Sequence, residues 1–127
     1  MMIDLKNYGA LQHEGDHFIG FALPTTIGPV DIQIGGVDVS VPDMQNKILA
    51  VLNRLSAINT KARAYLQEKA RQEVETSGGL VEPSLLFNAN DALGNFTLFY
   101  SGTIEDDETC YGVEFRNFAP HDLTIGD

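Results

Sequence analysis

The clearest periodicity in the chain lies either side of Gly35-Gly36, where Val30-Asp31-Ile32-Gln33-Ile34 and Val37-Asp38-Val39-Ser40-Val41 both alternate apolar with polar residues. Strict alternation over five residues puts every apolar side chain on one face of a strand. A two-residue glycine link suits the positive φ angles of a hairpin turn. The pattern predicts a hairpin in which Ile34 faces Val37, Ile32 faces Val39 and Val30 faces Val41, with one aliphatic face and one wet face. Upstream, residues 7–12 and 17–23 flank the polar stretch His13-Glu14-Gly15-Asp16 and predict a second hairpin. Between the two, Pro24-Thr25-Thr26-Ile27-Gly28-Pro29 is expected to break the strand.

Past Pro42 the period changes. Met44, Ile48, Val51, Leu52, Leu55 and Ile58 recur at three and four, the spacing of one helical stripe, and Asp43 stands where an N-cap is expected. Ala62, Tyr65, Leu66, Ala70 and Val74 extend the pattern towards Thr76, and Ser77-Gly78-Gly79 ends it. One or two helices are expected over 43–76, with Asn59-Thr60 as the candidate break. Residues 80–95 carry no clear period and read as a connection, with one helical turn over 83–87. Sheet returns over 96–100 and again over 111–117, where Tyr111, Val113 and Phe115 point inward, and Leu123 with Ile125 closes the chain. The expected fold is a single α+β domain over 1–127: a mainly antiparallel sheet of six or seven strands, with one or two helices on its apolar face.

Composition leaves that picture standing and adds a compartment. A chain of 127 residues with 43% hydrophobic and 20% charged positions buries enough surface for one core without staples. Its single cysteine, Cys110, expected half-buried in a strand, forms no intramolecular disulfide. The first six residues lack a basic region followed by an apolar run, and no apolar stretch approaches membrane-spanning length, so a soluble cytoplasmic protein is expected.

Charge changes the picture more. The net charge is −10, which is the wrong sign for gripping a nucleic-acid backbone or an anionic membrane. The acid is also unevenly spread. Lys47, Arg54, Lys61, Arg63, Lys69 and Arg71 outnumber Asp43, Glu68, Glu73 and Glu75 in the helical segment, which is +2, so everything else totals −12. The densest acid is Glu105-Asp106-Asp107-Glu108, expected in the turn before the strand at 111–117. Glu14, Asp16, Asp31, Asp38, Glu114 and Asp122 fall on turns or outward strand positions. A broad anionic field of this kind attracts basic partners and speeds their association.

Catalytic signatures are thin. His13-Glu14-Gly15-Asp16-His17 spells the zinc-protease string H-E-x-x-H, whose chemistry needs two histidines one helical turn apart. Here the string falls in a glycine-containing turn. Asn88-x-Asn90 with Gly94 departs from a calcium loop, since Ala92 fills a ligand position and no closing glutamate follows. No phosphate-binding or nucleophile-elbow motif occurs. Neither a metal nor a cofactor is expected, and no residues are assigned a catalytic role.

The ending, Phe-Thr-Leu-Phe-Tyr-Ser-Gly at 96–102, Cys-Tyr-Gly-Val-Glu-Phe-Arg-Asn-Phe at 110–118 and Asp-Leu-Thr-Ile-Gly-Asp at 122–127, resembles the endings of small acidic bacterial immunity-type proteins. These are the cognate inhibitors of secreted or contact-delivered toxins. The resemblance implies a cytoplasmic, non-catalytic protein that binds one toxin domain, often a basic nuclease. The resemblance carries over no contact residues; charge and outward position make Glu105, Asp106, Asp107, Glu108, Glu114 and Asp122 the candidate partner-binding residues, with exposed Tyr or Phe neighbours as anchors. The main alternative is a structural or adaptor module that homo-oligomerises, and a metal-dependent enzyme comes third. The oligomeric state has no signature in the sequence.

Overall fold

The computed structural model describes residues 2–36, 39–76, 78–102 and 109–126. Among them, eight strands form one sheet whose spatial order follows the sequence: β1 (Met2–Asp4), β2 (Ala10–Glu14), β3 (His17–Thr25), β4 (Gly28–Gly35), β5 (Leu80–Asn88), β6 (Phe96–Gly102), β7 (Cys110–Arg116) and β8 (Ala119–Gly126). Every neighbouring pair is antiparallel except β4 and β5. That parallel pair needs a long crossover. The helices α1 (Val41–Leu52), α2 (Leu55–Lys69) and α3 (Arg71–Thr76) supply it. The α+β class and the mostly antiparallel sheet agree with the expected architecture, with one more strand and one more helix than its upper limits.

The helices lie on one face. Met44, Ile48, Val51 and Leu52 of α1, Leu55, Ile58, Ala62 and Leu66 of α2, and Val74 of α3 are all buried, so the stripe read from spacing is the stripe that packs. α1 rests against β1, while α2 rests against β7 and β8. Beneath them Ile3, Leu11, Ile32, Ile34, Leu85, Leu98, Val113 and Phe115 form the sheet side of the core. Phe96 stacks on Phe115 at 4.7 Å between ring centroids, and Tyr111, Val113 and Phe115 point inward as the alternation required.

Five local expectations are corrected. Gly35-Gly36 does not turn a hairpin: β4 ends at Gly35, and Val41 opens α1. Ser40, not Asp43, is the N-cap, its Oγ accepting the Asp43 amide hydrogen at 3.3 Å, with Pro42 in the first turn. The Val39/Val41 alternation was overridden by this cap and by the apolar stripe that follows it. Pro24 to Pro29 does not break the sheet either, because β3 runs to Thr25 and turns tightly into β4 at Gly28, with Pro24 opposite Pro29. The helical breaks fall at Asn53-Arg54 and Ala70, not at Asn59-Thr60.

The largest correction concerns residues 80–95, expected as a connection. Leu80–Asn88 is β5, an interior strand between β4 and β6. Its alternation is hidden by an irregularity between Val81 and Ser84, where Glu82 takes φ 53 and Pro83 follows. A bulge shifts the side-chain parity of a strand and so defeats a period-two reading.

Candidate functional site

The helices cover one face of the sheet, and among the described residues no element covers the other. Parity places Gln12, Ile19, Gln33, Leu86, Thr97, Glu114 and Asp122 in one row across seven strands of that open face. Its centre is apolar. Phe21 is 67% exposed and Leu86 41%, and with Ile19 and Phe99 they border a shallow depression of about 320 Å³. The Phe99 ring lies down over Gly112, where a Cβ would sit 2.7 Å from its Cε1 atom, so the glycine lets the ring form part of the floor. A second and larger depression, about 730 Å³, adjoins the first across Gln33 and Leu86, and Asn88, Asp91, Thr97 and Glu114 line it.

Two of the six candidate partner-binding residues meet in this frame. Glu114 of β7 stands directly opposite Asp122 of β8. Like charges in register across a strand pair destabilise it. Arg116 offsets this only in part, its Nε lying 3.6 Å from Glu114 Oε1, and the Asp122 carboxylate accepts the neighbouring Leu123 amide hydrogen at 2.8 Å. The other four, Glu105, Asp106, Asp107 and Glu108, lie outside the described residues, as does Asp38.

The remaining acids of the expected field serve differently. Asp31 Oδ1 accepts the Ala22 amide hydrogen at 2.7 Å and so holds the β3 bulge, where Ala22 takes φ 50. Asp16 caps the β2–β3 turn beside His17 at 3.2 Å, and that hydrogen bond, with the backbone and the imidazole charge, lowers its carboxyl below the ordinary range. The open face is therefore largely apolar at its centre, where the Asp31 carboxylate is engaged by the Ala22 amide, with Glu114 and Asp122 towards its periphery. The expected uniformly wet surface is not what the register builds.

H-E-x-x-H lies on the β2–β3 hairpin, where His13 pairs with Phe18 and His17 with Glu14. Adjacent pairs point to opposite faces. His13 packs on the Phe18 ring at 4.9 Å, on the core side, while His17 lies on the open side, so the two imidazoles cannot share one metal. Among the described residues no group of three His, Cys, Asp or Glu side chains is placed to hold a metal ion. Asn88 Oδ1 accepts the Asn90 amide hydrogen at 3.0 Å, which makes the Asn88-x-Asn90 stretch a local turn. Cys110 opens β7 on the open face and is exposed, not half-buried, because it shares parity with Gly112 and Glu114.

Sequence reasoning missed Ile19, Phe21, Leu86 and Phe99. A signal was present: Phe18-Ile19, Leu85-Leu86-Phe87 and Leu98-Phe99-Tyr100 are consecutive apolar runs, which mark strands apolar on both faces.

Fold and face together define a two-layer α+β protein with an open, apolar-centred sheet surface. No protein-family model matches this chain, and no curated protein or solved structure is significantly similar to it. Among the described residues, no helix is long and apolar enough to cross a membrane.

Proposed function

We propose that this protein is a non-catalytic inhibitor of the immunity type, which neutralises a basic toxin domain in the cytoplasm by binding it through an acidic surface. The observation that carries this reading is Glu114 facing Asp122 on an uncovered sheet. Two carboxylates held in register at a cost to the strand pair are relieved by a cation, and Arg116 approaches Glu114 at 3.6 Å. The charge distribution agrees, since −12 resides outside a helical layer that is itself +2. Self-association through this face would bring acid against acid; the alternative, homo-oligomerisation through a sheet edge or a helix face, is tested by sedimentation, where a concentration-independent monomer would count against it.

A toxin-like domain, if one is encoded immediately upstream, is the partner to test. Co-expression with this chain should restore growth, and the purified pair should form an equimolar complex whose association slows steeply with added salt. Within that complex, Glu114→Gln with Asp122→Asn should weaken binding by about ten-fold or more, as expected for loss of close interfacial charge pairs. The triple change Asp106→Asn, Asp107→Asn, Glu108→Gln tests the acidic run in the same way. Failure of the chain to protect cells or bind the domain would end the inhibitor reading.

A further inference from the structure

We infer that the paired depressions on the open sheet face are a two-part docking site for a basic protein segment that presents an apolar side chain beside an arginine or lysine. This deepens the inhibitor reading and rests on it for the partner's identity, but not for the partner's chemistry. Single exposed apolar residues are ordinary on protein surfaces. What distinguishes Ile19, Phe21, Leu86 and Phe99 is that three strands bring them to the border of one depression.

The first part is preformed. Phe99 is laid flat by the absence of a side chain at Gly112, and the β3 bulge that turns Phe21 outward is held by the Asp31 carboxylate. A partner's aromatic or aliphatic side chain can enter without backbone rearrangement. The second part adjoins it. From Leu86 the register steps through Thr97 to Glu114, two strands away, or about 10 Å at ordinary strand spacing, and Asp122 stands one strand further. An extended segment with an apolar residue over Leu86 reaches that distance with an arginine or lysine one or two positions along. Charge complementarity selects this occupant over an acidic or neutral one. An apolar centre with a charged border is also the anatomy of a protein-binding patch.

The test uses blocked tetrapeptides as defined probes, followed by amide chemical shifts of the isotope-labelled full chain. Trp-Ala-Arg-Arg should shift Phe21, Leu86, Phe99 and Glu114 saturably. Ala-Ala-Arg-Arg and Trp-Ala-Glu-Glu should each bind about ten-fold more weakly or worse, the ratio expected when one buried side chain or one ion pair is withdrawn. Leu86→Thr, a change at an exposed strand position, should cost the first peptide a similar factor. Equal binding of the charge-only peptide, or shifts confined to the helical layer, would overturn the inference. Should Leu86→Thr fail to fold, the peptide comparison on the unmodified chain still decides.

The toxin complex separates the two proposals. If Phe21→Ser and Leu86→Thr leave toxin affinity intact, the docking site is wrong and the inhibitor reading stands. If the upstream domain is not bound at all while the peptide maps to the patch, the inhibitor reading falls and the docking site stands.

Discussion

Tyr100 offers a test in which the effect of one substitution on stability should change sign with pH. Its side chain is 1% exposed on the core side of β6, its hydroxyl donates to Asn59 Oδ1 of α2, and the Arg63 guanidinium lies 4.9 Å from its ring centre. Burial pushes the phenol from its ordinary 10.0 up to about 12, with the nearby Arg63 charge pulling the other way. Because the folded pKa is raised, the associated stability is fully present well below pH 10 and is lost as pH rises through 12, since between the two values the unfolded chain sheds its proton and the folded chain largely keeps it. The gap between the two values corresponds to a total loss on the order of 2–3 kcal/mol, roughly half of it reached by pH 11.

Tyr100→Phe removes both the hydroxyl and its titration. At pH 8 the variant should be less stable by about 1 kcal/mol, the net worth of one hydrogen bond. The loss stays near that value because Asn59 Oδ1 still has Arg63 Nε at 3.4 Å. Urea unfolding of both proteins, followed by circular dichroism at pH 8, 10, 11 and 11.5, isolates Tyr100, since every other titrating group is common to the two. The stability difference should shrink above pH 10, pass through zero near pH 11 and reverse beyond it. A difference that stays constant across the series would refute the argument, because the buried phenol would then titrate as it does in the unfolded chain.

Two further outcomes follow from packing and capping. Phe115→Ala deletes a fully buried ring stacked on Phe96 and should cost about 3–5 kcal/mol, read as a drop in urea midpoint at unchanged slope. Ser40→Ala removes the side-chain acceptor of the Asp43 amide and should cost about 1 kcal/mol, whereas Ser40→Asp should recover it.

The helical stripe was legible because its spacing carries across the break at Asn53-Arg54: Met44, Ile48, Val51, Leu52, Leu55 and Ile58 recur at three and four, and all six are buried. The inward set of β7 was legible for the same reason, alternation over seven residues without a bulge. β5 was not, because Glu82 and Pro83 shift its parity midway and its partners lie far away in sequence. The hairpin at Gly35-Gly36 was a local pattern that lost to a helix cap and a crossover. Of the candidate site, Glu114 and Asp122 were named from outward parity alone, but nothing local said that they would stand opposite one another.

The sequence by itself determined the two-layer class, the helical face that packs, the inward residues of β7 and the concentration of acid outside the helices. All of these depend on spacing or charge within a short stretch of chain. Tertiary structure alone decided the parallel β4–β5 pairing, the opposite facing of His13 and His17, the gathering of Ile19, Phe21, Leu86 and Phe99, and the meeting of Glu114 with Asp122. Each depends on register between strands, and a one-residue slip in register sends every side chain to the other face.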